Sequence, residues 1–143
     1  MKSLRRCVDL LNRNEVSTSS AEADFIEGVF MKENKLADLS MNFAINALRL
    51  ADEIEGHYAL KNQFERSATS IGANLREANY AQSNADFLSK LQIALKECYE
   101  TEYWLELFVR SNLLPEDKVK VLMHDCGEIR RILVSSVRTL KSK

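Results

Sequence analysis

The stretch NADFLSKLQIALKECYETEYWLELFVRSN, residues 84–112, decides the fold. It contains neither proline nor glycine. Phe87, Leu91, Ala94, Cys98, Thr101, Leu105 and Phe108 recur in it at alternating spacings of four and three. On an α-helix that alternation sets them on one stripe, the seam of a helix packed lengthwise against others. At 1.5 Å per residue the helix runs roughly 40 Å. Ile93, Trp104 and Leu107 fall about 100° or more from that stripe, and Leu88, Leu95 and Tyr99 flank its other side. A helix that is apolar on several sides needs neighbours on several sides.

The helices on either side follow the same period. Downstream, the long helix ends near Leu113, and Pro115 stands where a first helical turn favours proline. Val119, Leu122, Cys126, Ile129, Leu133, Ser136 or Val137, and Leu140 then form one buried side, with Gly127 exposed or at a contact. Upstream, a helix is expected over about Tyr58–Ala81, with Leu60, Phe64, Ser67 or Ala68, Ile71, Leu75 and Ala78 inward. Its middle, Ser67 to Asn74, is made of mediocre to poor helix formers. Small side chains there let another backbone approach, which points to close packing on the long helix with a local irregularity. The rival reading, a phosphate cradle, rests on the single glycine Gly72. Ser83 or Asn84 caps the long helix, with Asp86 in its first turn. A first bundle helix is expected over about Glu33–Glu55, burying Leu36, Leu39, Phe43, Ala47, Leu50 and Ile54 and stopping at Gly56. Four helices on short connections make an all-α, antiparallel up-down-up-down four-helix bundle over residues 31–143.

Residues 1–30 read differently and form an N-terminal extension. Leu4, Val8 and Leu11 suit a short amphipathic helix, and Ser17 to Ala23 suits a linker. Phe25, Ile26, Val29, Phe30 and Met31 form an apolar patch that must cover something or stay exposed. Met31-Lys32-Glu33-Asn34 also reads as a translation start, so the extension is either native or an over-long reading frame.

Composition narrows the function classes. At 143 residues, with one proline, four glycines and 45% hydrophobic residues, the chain suits one helical domain. No run of about 20 apolar residues is present, so no membrane span is expected, and the basic N-terminus lacks the apolar block of a secretory signal. Cys7, Cys98 and Cys126 are an odd number. Two of them lie on core stripes, which favours structural thiols in a reduced, cytoplasmic protein over a redox role. The net charge of −1 gives no overall pull toward nucleic acid or anionic membrane. Its distribution is uneven: Arg130, Arg131, Arg138, Lys141 and Lys143 close the chain with no acid among them, and Lys2, Arg5, Arg6 and Arg13 open it. Two readings stand for the C-terminal cluster, complementing a helix dipole or binding phosphate.

No catalytic constellation emerges. A di-metal bundle needs Glu-x-x-His pairs, and neither His57 nor His124 has a glutamate three residues before it. No Walker loop, Cys-x-x-Cys or Ser/His/Asp arrangement occurs, so no enzyme activity, metal, cofactor or small-molecule substrate is expected. Arg66 lies one step off its helix's inner stripe, and Glu97, Glu100 and Glu102 lie on the facing helix. A structural ion pair between Arg66 and one of these acids is expected, within the subunit or across a subunit boundary. Ile93, Trp104 and Leu107 are expected at a subunit contact, aromatics being enriched there; cover by the N-terminal segment is the rival.

Two segments carry a family resemblance: Arg66-Ser67-Ala68-Thr69-Ser70-Ile71-Gly72-Ala73-Asn74-Leu75-Arg76-Glu77-Ala78, and Ala94-Leu95-Lys96-Glu97-Cys98-Tyr99-Glu100-Thr101-Glu102-Tyr103-Trp104-Leu105. They resemble the bacterial four-helix-bundle proteins encoded in intervening sequences of 23S ribosomal RNA genes. The accessory variability proteins of diversity-generating retroelements share that fold. The resemblance spans about Met31 to Lys143. It implies a bundle that assembles into a ring, typically a homopentamer, that binds RNA or DNA, with a reverse transcriptase as partner in the retroelement branch. Those accessory proteins are strongly basic, whereas this chain is nearly neutral. The expected nucleic-acid contacts are Arg130, Arg131, Arg138, Lys141, Arg5 and Arg6 on a basic rim. An oligomeric adaptor that binds protein alone is the alternative.

Overall fold

Four helices, α1 (Ser20–Asp52), α2 (Tyr58–Ala78), α3 (Asn84–Arg110) and α4 (Glu116–Lys141), run up-down-up-down around one core. This computed structural model describes the backbone of residues 20–142 and the side chains of residues 35–142. α1 packs on α2 and α4, and α3 packs on the same two helices, so α1 and α3 lie across the diagonal.

α3 forms as its apolar period requires. Leu91, Ala94, Cys98, Thr101, Leu105 and Phe108 are buried along one stripe, and Phe87 is half-buried at its start. Its N-terminus closes reciprocally: Asp86 N–H donates to Ser83 Oγ at 3.1 Å, while Gln82 N–H donates to the Asp86 carboxylate at 3.1 Å. The first bond satisfies an orphan donor of the opening turn, and the second ties down the residue before the cap. Asn112 ends the helix in the left-handed region at φ 58°, a conformation asparagine tolerates better than most residues. The Leu113 and Leu114 N–H groups then turn back to the Phe108 carbonyl.

α2 is held by contacts its weak middle makes possible. Ser67, Ala68 and Ile71 are fully buried, and the helix continues through residues 67–74 without interruption. The expected irregularity is absent: the Ser67 and Thr69 hydroxyls bond back to the Phe64 and Glu65 carbonyls at 3.1 and 2.8 Å while the helical ladder continues. Ser67 Oγ and Thr101 Oγ1 lie 2.9 Å apart between α2 and α3. The Phe64 carbonyl is 3.1 Å from Ser67 Oγ, and the Glu97 carbonyl is 2.7 Å from Thr101 Oγ1. A one-way chain of donation in either direction satisfies both hydroxyls, so neither is orphaned in the core. Phe64 meets Phe108 edge-on at 5.4 Å between ring centroids. Toward α1, a Cβ on Gly72 would stand only 3.3 Å from Ser40 Oγ. The bare glycine therefore lets α1 and α2 close up at the buried Ser40.

α1 departs most from expectation. It starts at Ser20, not near Glu33, so the boundary placed at 30/31 falls inside a continuous helix. Ala21, Glu22 and Ala23, read as linker, are good helix formers, and no proline interrupts residues 24–52. Leu4, Val8 and Leu11 lie outside the described residues. At the other end α1 stops at Asp52, and Gly56 (φ 69°) and His57 (φ 48°) turn the chain into α2.

Each packed pair is also bridged by charge. Lys61 reaches Asp52 across α1 and α2 at 3.5 Å, Lys90 pairs with Glu77 across α2 and α3, Arg130 meets Glu102 across α3 and α4 at 2.9 Å, and Lys35 meets Glu128 across α1 and α4 at 2.8 Å. Gly127 is buried where α4 meets α3. A Cβ there would find Arg131 Nη1 at 3.5 Å and Glu102 Oε1 at 4.0 Å, ordinary contact distances. The two helical glycines therefore answer substitution oppositely. In urea unfolding, Gly127→Ala is expected to stabilise by up to about 1 kcal/mol, whereas Gly72→Leu, forced against Ser40, costs about 1–3 kcal/mol.

Candidate nucleic-acid interface

Among the described residues, the basic end of α4 divides into one tethered arginine and three free cations. Arg131, Arg138 and Lys141 are exposed, and residues 129–142 contain no acid. Arg130 is different. Its Nε donates to Glu102 Oε1 at 2.9 Å, and its guanidinium lies over Tyr99, 5.6 Å from the ring centroid. The hydrogen bond to Glu102, with that carboxylate's charge, raises the Arg130 pKa. Arg130 is thus committed to holding α3 against α4. Arg5 and Arg6 lie outside the described residues.

Two of the three acids expected to pair with Arg66 are otherwise engaged within the subunit. Glu102 faces α4 and takes Arg130. Glu100 accepts from Trp104 Nε1 at 3.3 Å, one helical turn along α3. Arg66 is exposed on α2 and forms no ion pair within the described residues. Its one-step offset from the inner stripe turns it outward, so it influences Glu97 only through space. Burial raises the Glu97 pKa first, the Glu100 charge adds to the rise, and Arg66 opposes it.

The apolar contact expected on α3 is partly covered by its own chain. Trp104 is half-buried and packed against the core, with Tyr103 edge-on at 4.9 Å. Leu107 is half-buried, and Ile93 is 37% exposed. A clearer open stripe lies on α1, where Met41, Ile45 and Leu48 are 50%, 42% and 43% exposed. Their spacings of four and three were visible in the sequence, parallel to the buried Phe43, Ala47 and Leu50. A helix with a second apolar stripe was the signal that could have found them.

The thiols behave as core hydrophobes. Cys98 and Cys126 are free and buried, with the Cys126 thiol 3.5 Å from the Cys98 carbonyl. Hydrogen bonding to Cys98, then burial, pushes the Cys126 pKa far up. His57 and His124 are both exposed. Among the described residues no cluster of His, Cys, Asp and Glu is placed to hold a metal ion, and no helix is long and apolar enough to cross a membrane.

A family model covers most of this bundle. The 23S rRNA-intervening sequence protein model matches residues 32–135. The chain belongs to that family. It is similar to a protein of unknown function from the S23 ribosomal protein family of Bacteroides thetaiotaomicron, solved by crystallography. The two are 42% identical, with a TM-score of 0.70 over 75% of this chain and 98% of that one. No curated protein matches the chain. Both family segments thus sit where this fold makes its closest helix contacts, and residues 1–31 precede the family match.

Glu97 offers a pH test of this surface. Its folded pKa lies above the ordinary 4.5, so the folded state disfavours its ionised form. Stability from this group is full below the unfolded value and falls as pH rises through the folded one. Glu97→Gln should therefore raise the urea midpoint at about pH 7 and leave it unchanged at about pH 3.5, where the native carboxyl is already neutral.

Proposed function

We propose that the protein is a non-enzymatic, self-associating four-helix bundle that binds structured RNA or DNA along the basic end of α4. The observation that carries this reading is the exposure of Arg131, Arg138 and Lys141 on a stretch without acids. Cations at a helix C-terminus also complement its dipole, but that effect fades within the last turn. Arg131 lies well before it. A chain of net charge −1 gains little from long-range attraction. A ring would repeat the basic cluster once per subunit, so weak contacts act together. What supports self-association is the open Met41, Ile45 and Leu48 stripe on α1, with Ile93, Trp104 and Leu107 on α3 as a second contact.

An oligomeric adaptor that binds a protein partner is the second reading, and the near-neutral charge with the bare α1 stripe favours it. Salt-dependent gel shift on structured RNA and duplex DNA separates the two. On the first reading, replacing Arg131, Arg138 and Lys141 with Ser weakens binding across sequences and flattens the salt slope by about one for each phosphate no longer neutralised. Absence of binding at low salt leaves the adaptor. For the assembly itself, light scattering of Ile45→Lys should report the mass of a single chain, and an unchanged assembled mass would exclude α1 as the contact.

A further inference from the structure

Tyr99 and Tyr103, one turn apart on α3, are 51% and 57% exposed. They contribute little to the core, which α3 fills from its opposite side. Lys96 and Arg110, both exposed, share their face by spacing. Tyr99 is fixed beneath the Arg130 guanidinium, and that guanidinium is fixed by Glu102. Tyr103 is braced edge-on by Trp104. Further along α3, where its last two turns meet the start of α4, opens a cleft of about 330 Å³ with Leu105, Val109, Val119 and Met123 among its walls. Arg110 and Lys120 also line it, with Glu116 and Glu106, the latter bonded to Arg110 at 3.1 Å.

We propose that this tyrosine face and cleft receive unpaired nucleobases of an RNA or DNA strand whose phosphates lie on the free cations of α4. The proposal deepens the nucleic-acid reading and rests on it. Aromatic side chains stack on any base because every base presents a π-face, and the cations alongside track the backbone. Four helical residues advance about 6 Å, close to two steps of a stacked strand at about 3.4 Å each. In a duplex the base faces are already covered, so the platform discriminates in favour of loops, bulges and single strands. A chain of net charge −1 gains little from long-range attraction beyond its local phosphate contacts. Stacking supplies what charge does not.

Trp104 is the only tryptophan of the chain and touches Tyr103, so its fluorescence reports occupancy. The full chain is titrated with oligo(U), oligo(dT) and an RNA duplex of matched length. Both single strands are expected to quench Trp104 and bind at least about tenfold tighter than the duplex. The double variant Tyr99→Leu, Tyr103→Leu should lose most of that preference while keeping its salt slope and its helical circular dichroism. Equal wild-type affinity for strand and duplex overturns the platform, as does a preference that survives the double substitution; the nucleic-acid reading stands in both cases. Binding of only one oligomer overturns a platform indifferent to the sugar. A drop in assembled mass for the double variant overturns it too, by placing the tyrosines at a subunit contact. No binding of any of the three removes both readings.

Discussion

How closely α2 approaches its two neighbours is the constraint on which the bundle depends. On one side bare Gly72 meets Ser40 of α1, and on the other Ser67 meets Thr101 of α3. Neither contact is favoured by helix propensity, since Gly, Ser and Thr all weaken an isolated helix. The gain comes from packing: with small residues at both seams, Phe64 and Ile71 bury completely and Phe64 reaches Phe108. The two hydroxyls must then satisfy each other or a carbonyl, because a buried orphan costs about 1–3 kcal/mol. They do so within one connected set. The polar α2 segment is thus a structural device: Ser67 is turned fully into the core and the Thr69 hydroxyl is spent on the Glu65 carbonyl one turn back.

That architecture also determines which charges remain for a partner. Lys35, Lys61, Lys90 and Arg130 each bridge a different helix seam. Individually such partly exposed bridges contribute about 0–1 kcal/mol. Together they match each helix to its neighbour and remove four cations from the pool that could meet phosphate. Arg130 shows the distinction best. By sequence it is one of a row of bases, yet Glu102 and Tyr99 hold it against α3. Arg131, the next residue, is exposed and forms no ion pair among the described residues. Adjacent residues on a helix point about 100° apart, which is enough to separate a structural role from an available one.

Much of the fold was legible because its signals were periodic. The α3 and α4 stripes were readable from spacing alone, and the Ser83 cap was one of two candidates, with Asn84, offered by residue type. The extent of α1 was less so, since the polar run before Glu33 reads as a linker until its alanines and glutamate are weighed as helix formers. The candidate surface was legible only in composition. Spacing identifies the face a residue occupies but not which of several acids a cation will choose, and Glu102, one of three acids open to Arg66, takes Arg130 within the subunit. The α1 stripe was missed for a related reason. A strong inner stripe at the same period draws attention away from Met41, Ile45 and Leu48 on the other side of the same helix.

The apolar circumference of α3, the first sign that this chain needs neighbours, is mostly accounted for inside the subunit. Leu88, Leu95, Trp104 and Val109 all pack against the core from its flanks, because α2 and α4 both lean on α3. α1 has the same two neighbours but a second aliphatic row that neither covers. Since α1 and α3 lie across the diagonal, an additional chain meeting α1 leaves the tyrosine face of α3 open. On the proposed reading, self-association through the α1 stripe and ligand contact through Tyr99, Tyr103 and α4 would use different sides of the bundle. In a closed assembly built through α1, each subunit would keep that face for a strand.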